Sequence, residues 1–159
     1  MRSLREKIKG REELAQIIEG LKKERKRIVF TNGCFDLLHA GHVTYLEEAR
    51  GFGDVLVVGV NSDSSVRRIK GSGRPIVPLE QRMAVLAALE AVDYVVPFEE
   101  DTPYELIALL RPHTLVKGGD WRAEEVVGRE LVDEVRIIPY LEGVSTTELI
   151  ARVKTLNFK

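Results

Sequence analysis

Residues 28–42, IVFTNGCFDLLHAGH, decide how this chain folds. The apolar run over residues 28–30 predicts a short buried strand, and the polar turn that follows it ends that strand. A helix resumes near Ala40 or Gly41, because residues beyond this point return to a helical pattern. This order of strand, turn and helix sets a pattern that the rest of the chain repeats.

Two histidines, His39 and His42, lie at or just inside the start of this helix. Their spacing places both imidazoles on one face, and Gly41 between them leaves room for a bulky anion to approach the backbone. Free backbone N–H groups and the positive end of the helix dipole favour a phosphate at such a position. A zinc site fits less well, because the helical metalloprotease pattern needs histidines four apart with an intervening glutamate. No metal site is predicted, although metal ligation and a purely structural role stay open on this pattern alone. The remaining histidine, His113, is interpreted as structural or solvent-facing.

Strands and helices alternate along the rest of the chain. Apolar runs rich in β-branched residues predict four further strands, over residues 55–60, 94–98, 114–116 and 134–139. Apolar residues at helical spacing predict helices over residues 12–23, 42–50, 79–91, 103–110 and 124–133. Capping boxes at residues 102–105 and 145–148 mark the starts of two helices. The sequence therefore predicts a doubly wound, Rossmann-like α/β fold, with helices on both faces of a parallel five-stranded sheet.

The composition is typical of a globular protein with one domain. Of the 159 residues, 44% are hydrophobic and 31% charged, and the formal net charge is −1, so no basic face for a nucleic-acid partner is indicated. The charged start lacks a signal peptide, and no segment is long enough to span a bilayer, which predicts a cytoplasmic protein without a membrane partner. Cys34 is the only cysteine, which excludes an internal disulfide and a cysteine-based zinc site. We expect one domain over residues 1–159, with an N-terminal helical segment over 1–27 and a core over 28–155.

Ligands of such a sheet bind beyond the carboxyl ends of the strands, where loops lead into helices. One such loop is predicted over residues 61–74, where Gly71 and Gly73 provide mobility and Lys70 and Arg74 place cations on either side. These features fit a lid that closes over a polyphosphate, since closure removes water and adds charge at the leaving group. A solvated flexible loop is the alternative interpretation.

Two later loops also follow this rule. Residues 117–121, KGGDW, combine a lysine, two glycines, an acid and the only tryptophan, which fits a sugar or phosphate site. Trp121 could equally be a packing residue. Residues 142–147, EGVSTT, open the last helix, where Ser145 is interpreted as the cap and the exposed N–H groups offer an anion or base-edge site.

The motifs that are missing narrow the chemistry. The chain carries no G-x-x-x-x-G-K-[ST] loop, no G-x-G-x-x-G fingerprint and no G-x-S-x-G elbow, which disfavours P-loop hydrolysis and dinucleotide redox chemistry. A reaction that needs neither a nucleophilic side chain nor a strong base fits better, such as attack of a substrate phosphate on the α-phosphate of a nucleoside triphosphate. Such a reaction depends on in-line positioning and charge neutralisation, usually with Mg²⁺.

The segment TNGCFDLLHAGHVTYLEEA resembles the signature of the HxGH nucleotidyltransferase superfamily, and GVSTTELI resembles its second signature. Within that superfamily the chain is most similar to the heptose 1-phosphate adenylyltransferases. The similar segments are RIVFTNGCFDLLHAGH, VNSD, KGSGRPIVPLEQRM, ALEAVDYVV, FEEDTP, LVKGGDW and EGVSTT. The resemblance implies a HUP-type nucleotidyltransferase fold. It also implies transfer of AMP from ATP, with Mg²⁺, to D-glycero-β-D-manno-heptose 1-phosphate, giving ADP-heptose and pyrophosphate for lipopolysaccharide core precursor synthesis.

The resemblance further implies roles for individual residues. His39 and His42 would bind the triphosphate and stabilise the pentavalent transition state, and Lys70 would close on the phosphates as a third catalytic residue. The other residues expected to contact nucleotide or sugar phosphate, directly or through the backbone, are Thr31, Gly33, Phe35, Asp36, Gly41, Asn61, Asp63, Arg74, Arg82, Lys117, Gly118, Asp120, Ser145, Thr146 and Thr147. Asp63, Lys117 and Asp120 are the ones whose ligand, nucleotide or sugar phosphate, stays open.

Two departures from the family pattern leave alternatives. Bifunctional members of the heptose 1-phosphate adenylyltransferase family also carry a sugar kinase domain, for which 159 residues leave no room. We therefore expect a stand-alone transferase or an excised domain, with a separate heptose kinase as partner. Related cytidylyltransferases carry an arginine shortly before Gly-[Ile/Val]-Ser-Thr-Thr, where this chain has Tyr140, Leu141 and Glu142. This disfavours a glycerol-3-phosphate cytidylyltransferase without excluding it. A non-catalytic nucleotide-binding module is the third interpretation, and the resemblance implies a homo-oligomer, either a dimer or a larger assembly.

Overall fold

The computed structural model describes residues 1–156 of the chain, and its centre is a single parallel sheet. The strands are β1 (Ile28–Gly33), β2 (Val55–Asn61), β3 (Tyr94–Phe98), β4 (Thr114–Gly118) and β5 (Glu134–Ile138). They lie in the order β3-β2-β1-β4-β5, and every neighbouring pair is parallel. The predicted parallel five-stranded sheet is confirmed. Three strands run further than the apolar residues that predicted them, because polar residues at their carboxyl ends still pair.

Helices cover both faces of this sheet. The helices are α1 (Leu4–Lys7), α2 (Arg11–Lys23), α3 (Ala40–Arg50), α4 (Asp63–Lys70), α5 (Leu79–Ala87), α6 (Tyr104–Leu110) and α7 (Thr146–Lys154). One buried cluster joins α2 and α6 to one face of the sheet, with Leu14 and Leu106 among its members. A second cluster joins α3 and α5 to the opposite face, with Leu46 and Leu86 among its members. The doubly wound arrangement is therefore confirmed.

The strand order reverses at β1, since β2 and β3 are added on one side of β1 while β4 and β5 are added on the other. In open α/β sheets this switch point opens a crevice at the carboxyl ends of the strands, where ligands bind. The loops that leave β1, β2, β4 and β5 all reach this edge.

The helix predicted over residues 124–133 is wrong. Two short 3₁₀ helices, Ala123–Glu125 and Arg129–Leu131, occupy this segment. Gly128 separates them with φ +87°, a left-handed conformation that an α-helix cannot contain. A Cβ at this position would lie 2.9 Å from Cδ1 of Ile107, so the segment folds onto α6 through its glycine.

The uninterrupted loop predicted over residues 61–74 is also wrong. Its first half is α4, a helix capped by the Ser62 hydroxyl, which accepts a hydrogen bond from the Ser65 N–H at 3.2 Å. A serine cap and an acid in the first turn are ordinary helix-start signals, but the polar composition of the segment concealed them. Only the stretch after Lys70 is left as the connection to α5.

Smaller differences occur at helix ends. The capping box predicted at residues 102–105 does not form, because Pro103 is the N-cap of α6 and supplies no side-chain hydrogen bond. The last helix starts where predicted, with the Ser145 hydroxyl accepting from the Glu148 N–H at 3.0 Å, but the return bond from the Ser145 N–H to the Glu148 side chain, which would complete the predicted capping box, does not form. Helix α5 ends at Ala87, before the predicted residue 91. Within residues 1–156, no helix combines the length and apolar character needed to cross a lipid bilayer.

Candidate functional site

A cavity of about 930 Å³ opens at the carboxyl edge of the sheet, above the crevice between β1 and β4. This volume lies in the range of sites that hold a cofactor-sized ligand. The β1–α3 loop with the start of α3 forms one wall, and the end of α4 with the following loop forms another. The ends of β4 and β5 and the start of α7 complete it.

The β1–α3 loop turns sharply under the cavity. Phe35 and Leu37 have φ +50° and +56°, a left-handed conformation that residues with a Cβ seldom adopt. The Phe35 ring packs against Gly33, where a Cβ would lie 3.1 Å from it, and against His42 at a ring-centroid distance of 5.6 Å. Strained backbone of this kind is concentrated at functional sites, because the surrounding structure must hold it in place.

His39 and His42 stand side by side at the start of α3, with ring centroids 3.9 Å apart. Nδ1 of His39 accepts from the Gly41 N–H at 3.1 Å, and Nδ1 of His42 accepts from the His39 N–H at 3.3 Å. A neutral imidazole that accepts at Nδ1 carries its proton on Nε2. Both rings line the cavity, so each brings an Nε2–H donor to it.

The environment of the two histidines keeps them neutral. Burial lowers the pKa of His42 to about 4, and the neighbouring His39 acts in the same direction. Burial also lowers the pKa of His39. At neutral pH the pair therefore consists of two uncharged hydrogen-bond donors.

Gly41 is required by the position of the His39 ring. A Cβ at Gly41 would lie 2.9 Å from Cε1 and 3.0 Å from Nδ1 of His39. The sequence indicates room for an approaching anion at this glycine, and the structure adds that any side chain there displaces the neighbouring imidazole.

Asp36 and Arg74 form an ion pair on the cavity wall, with Arg74 Nε donating to Oδ2 of the buried Asp36 carboxylate at 2.7 Å. The same carboxylate accepts from the backbone N–H groups of Ile76 and Val77 at 2.8 and 2.9 Å. Burial acts to raise the pKa of Asp36, but these backbone bonds and Arg74 outweigh it and hold the pKa below its usual value. Asp36 therefore ties the loop after α4 to the loop that carries the histidines.

Arg82 is a fully buried cation behind the cavity, with 1% of its surface exposed. Its guanidinium donates to the carbonyl oxygens of Cys34, Asn61 and Val77 at 2.7 to 2.8 Å. It also donates to Oδ1 of Asp63 at 2.7 Å. Arg82 therefore connects the ends of β1 and β2 with the start of α5.

The opposite wall carries a lysine among aromatic rings. Lys117 lies near the end of β4, with Nζ 5.3 Å from the centre of the Trp121 ring. The ring of Tyr140 covers Gly118 and Gly119, and a Cβ on Gly119 would overlap it. Gly119 has φ +101°, so both its conformation and its neighbour require glycine.

The start of α7 closes the cavity on a third side. The Thr146 hydroxyl donates to the Asp36 carbonyl oxygen at 2.8 Å, which joins this helix to the β1–α3 loop. The Ser145 hydroxyl caps α7, and Thr147 is exposed. The free N–H groups of the first turn of α7 therefore face the same space as the start of α3.

The structure brings together most of the residues that the sequence predicts for the site. Those on the cavity wall are Gly33, Phe35, Asp36, His39, Gly41, His42, Asn61, Lys70, Arg74, Lys117, Gly118, Ser145, Thr146 and Thr147. Four predicted residues lie off the wall. Asp63 and Arg82 form the ion pair behind it, and Asp120 is exposed. Thr31 is a buried residue of β1, and its hydroxyl donates to the Val116 carbonyl oxygen of the neighbouring β4 at 2.9 Å.

Sequence reasoning missed other residues of the wall. Tyr45 lines the cavity from α3, and its hydroxyl donates to the Val116 carbonyl oxygen at 3.0 Å. Asp101 and Thr102 line it from the loop after β3, where Arg68 Nε donates to Asp101 at 2.8 Å. The rule that ligands bind at carboxyl ends of strands also applies to β3, and it would have found this loop. His113 supports the fold, since its Nδ1 accepts from the Ile28 N–H at 2.9 Å.

The sequence profile of the cytidylyltransferase-like family matches residues 30–152, which include both histidines and the start of α7. The chain belongs to this family. The resemblance to HxGH nucleotidyltransferases is therefore confirmed, and the chain is a member of a nucleotidyltransferase enzyme family.

Relatives of this cytidylyltransferase-like chain include longer proteins. It is 59% identical over 148 residues to the bifunctional protein HldE of a Nitratiruptor species, a match that covers 93% of this chain and 32% of that protein. It is 55% identical over 147 residues to the bifunctional protein HldE of Sulfurimonas denitrificans, covering 92% of this chain and 31% of that protein. The chain therefore spans about a third of the length of the curated relatives it matches.

Two solved structures share the fold. The lipopolysaccharide core biosynthesis protein from Thermoplasma volcanium GSS1 superposes with a TM-score of 0.64 at 27% identity, covering 74% of this chain and 99% of that one. The pantoate-beta-alanine ligase of Francisella tularensis, solved with Beta-gamma ATP and Beta-alanine, superposes with a TM-score of 0.62 at 16% identity, covering 93% of this chain and 77% of that one. At that identity the second likeness supports the fold alone.

Proposed function

We propose that this chain transfers AMP from ATP to D-glycero-β-D-manno-heptose 1-phosphate, giving ADP-heptose and pyrophosphate. The observation that carries the proposal is the pair of neutral Nε2–H donors of His39 and His42, set at a helix start beside cationic residues in one cavity. This arrangement suits phosphoryl oxygens and includes no group activated as a base or nucleophile.

The chemistry needs no such group. An oxygen of the acceptor phosphate forms a bond to the α-phosphorus of ATP while the bond from that phosphorus to the pyrophosphate oxygen breaks. Because the second pKa of a phosphate monoester is about 6, the acceptor is mostly a dianion at neutral pH and needs no deprotonation. The protein accelerates the step by aligning the phosphates and stabilising their charge.

Residues on and behind the cavity wall have separate roles in this step. The Nε2–H groups of His39 and His42 donate to the phosphate oxygens as negative charge moves toward the pyrophosphate. Lys70 closes on the same phosphates from the end of α4. The Phe35 backbone cradles the α-phosphate, while the first turn of α7 holds the nucleotide and nearby backbone reads adenine. Arg82 and Asp36 position these loops through the bonds described above.

Magnesium enters with ATP as part of the substrate. Among residues 1–156, no group of three or more histidine, cysteine, aspartate or glutamate side chains is placed to hold a metal ion. Asp36, the buried carboxylate on the wall, already accepts three hydrogen bonds. Mg²⁺ commonly takes most of its ligands from substrate phosphates and water, which fits this set of side chains.

The comparisons support the heptose substrate. The matched relatives are bifunctional proteins of which this chain matches about a third, as expected for the transferase part of a synthase that also carries a kinase. The structural neighbour, a lipopolysaccharide core biosynthesis protein, supports a role in the synthesis of a lipopolysaccharide core precursor. A separate or linked heptose kinase and a homo-oligomeric state belong to this proposal.

The test is release of pyrophosphate with each of the four nucleoside triphosphates and a series of phosphorylated acceptors. We expect turnover with ATP and heptose 1-phosphate. Turnover with CTP and glycerol 3-phosphate, and none with ATP and heptose 1-phosphate, would establish the glycerol-3-phosphate cytidylyltransferase alternative. Binding of ATP without pyrophosphate release from any acceptor would indicate a non-catalytic nucleotide-binding module.

A further inference from the structure

Lys117 is a cation without a carboxylate partner on the cavity wall. Among the ion pairs of residues 1–156, none includes its Nζ. Burial lowers the pKa of Lys117, since an ammonium group loses solvation there. The Trp121 ring, 5.3 Å from Nζ, provides a cation–π contact that holds the ammonium at the cavity. A partly buried ammonium of this kind is stabilised when an anion binds beside it.

Lys117 and Lys70 approach the β1–α3 loop from opposite sides. Lys70 ends α4, which follows β2, whereas Lys117 belongs to β4, and β1 lies between these two strands. Lys70, Arg74 and Lys117 all line the cavity, together with Cys34 of the β1–α3 loop. The cavity therefore has basic side chains on its β2 side and a lysine on its β4 side.

Displacement at phosphorus places the attacking oxygen and the leaving oxygen roughly in line, on opposite sides of the phosphorus. With the α-phosphate over the β1–α3 loop and the leaving pyrophosphate on the Lys70 side, the attacking phosphate lies on the Lys117 side. We propose that Lys117 binds the phosphate of the sugar 1-phosphate acceptor, with Trp121 holding its ammonium group in place. This assignment rests on the proposed function, and it selects the acceptor over the nucleotide as the ligand of Lys117.

The competing ligand is the triphosphate itself. The triphosphate has other donors on the wall, namely the two histidines, Lys70 and the starts of α3 and α7. Among the residues that line the cavity, Lys117 is the one cation on the β4 side of the loop that could bind the acceptor phosphate. Loss of Lys117 should therefore affect the acceptor far more than ATP.

Trp121 allows this to be measured directly, because it is the only tryptophan of the chain. With the unreactive analogue α,β-methylene-ATP bound, heptose 1-phosphate should produce a saturable change in Trp121 fluorescence. Lys117→Met should weaken this binding and raise the KM for heptose 1-phosphate about 30-fold or more, as expected for a lost charged hydrogen bond. The KM for ATP should change less than about threefold, and Lys117→Arg should restore most of the binding.

Lys154→Met, the same substitution at an exposed position of α7, is the matched control and should change neither constant. A rise in the KM for ATP that equals or exceeds the rise for the acceptor would overturn the assignment. Failure of the wild type to turn over heptose 1-phosphate would count against the proposed function instead. In that case inorganic phosphate replaces the sugar phosphate in the fluorescence titration. Binding lost in Lys117→Met then supports the anion site, and equal binding by both proteins overturns it.

Discussion

His39 and His42 use Nδ1 to accept backbone N–H groups, so their orientation is fixed before any ligand arrives. Protonation of Nδ1 would break these bonds, and the 3.9 Å separation of the rings disfavours two positive charges. The sequence could place the histidines at a helix start and suggest an anion. It could not show that both imidazoles are neutral, because that depends on burial and on the distance between the rings.

Gly41→Ala tests the fixed orientation of His39. The added Cβ would lie 2.9 Å from His39 Cε1, so the ring must move, and displacement by about 1 Å can lower kcat by about 10²-fold. Alanine is not expected to weaken the helix, since it is favoured over glycine by up to about 1 kcal/mol in helices. We expect a large loss of kcat with little loss of unfolding free energy in urea.

Gly20→Ala is the control for this prediction. Gly20 lies within α2, and no heavy atom lies within 4 Å of an added Cβ. Stability should rise slightly and kcat should not change. Unchanged kcat in Gly41→Ala would show that the position of the His39 ring is not important for the reaction.

The lowered pKa of His42 has a measurable effect on stability. Its pKa is about 4 in the folded protein, against 6.5 ordinarily, so the unfolded chain binds more protons between these values. The stability that neutral His42 permits is present above about pH 6.5 and is lost as pH falls toward about 4. Urea unfolding at several pH values should show a steeper loss of free energy in the wild type than in His42→Gln. Parallel curves for the two proteins would contradict the low pKa.

At the scale of the elements, Arg82 holds together the three segments that carry the site. It donates to carbonyl oxygens at the ends of β1 and β2 and ahead of α5. Removing Arg82 leaves these three carbonyl oxygens without their donor, and because each buried polar group left unpaired costs about 1–3 kcal/mol, the loss amounts to about 3 kcal/mol or more. We therefore expect Arg82→Met to lower the free energy of unfolding by about that amount, measured by urea denaturation.

Arg67→Met on the exposed face of α4 is the matched control, and we expect a change within about 0.5 kcal/mol. Arg82→Met should also lower kcat, since the Arg82 guanidinium donates to the Cys34 carbonyl oxygen in the β1–α3 loop. An Arg82→Met protein as stable as the wild type would show that these bonds do not hold the loops.

The elements also show which parts of the structure were accessible from sequence. Buried parallel strands consist of apolar, β-branched residues, so β2 and β3 were predicted nearly to their ends. Helix α4 was missed because its polar residues and the following glycines look like a loop. The 124–133 segment was misassigned because only the packing of Gly128 against Ile107 shows that the helix is interrupted.

Some residues of the site were also predicted from the sequence, while others were misplaced or missed. Loops that follow β1, β4 and β5 were identified because they lie at the carboxyl edge of the sheet. Thr31 appears in the sequence as a polar residue directly after the apolar run 28–30, yet its hydroxyl bonds within the core. Tyr45 was missed because its contact with Val116 depends on which strand lies beside β1.

At the scale of the whole molecule, the N-terminal helices are part of the same packed structure. Leu14 of α2 is fully buried in the cluster that covers one face of the sheet. Arg11 of α2 donates to both carboxylate oxygens of Glu100 at 2.8 and 2.7 Å, which joins this helix to the loop after β3. That loop lines the cavity, so the N-terminal segment supports the site from a distance.

Leu14→Ala tests this support. Deleting a fully buried leucine side chain destabilises proteins by about 2–5 kcal/mol, and we expect a loss in this range in urea denaturation. Leu4→Ala is the control, because Leu4 is 41% exposed on α1 and should change stability by less than about 1 kcal/mol. Equal and small effects of both substitutions would show that α2 contributes little to the fold.

In the proposed reaction the acceptor phosphate attacks the α-phosphorus of ATP directly, without a covalent intermediate on the protein. The most direct measurement is the stereochemical course with one diastereomer of adenosine 5′-O-(1-thiotriphosphate), read by ³¹P NMR of the nucleotide sugar formed. A single in-line displacement predicts inversion of configuration at the α-phosphorus. Retention would require two displacements through a protein nucleophile and would rule out direct attack by the acceptor phosphate.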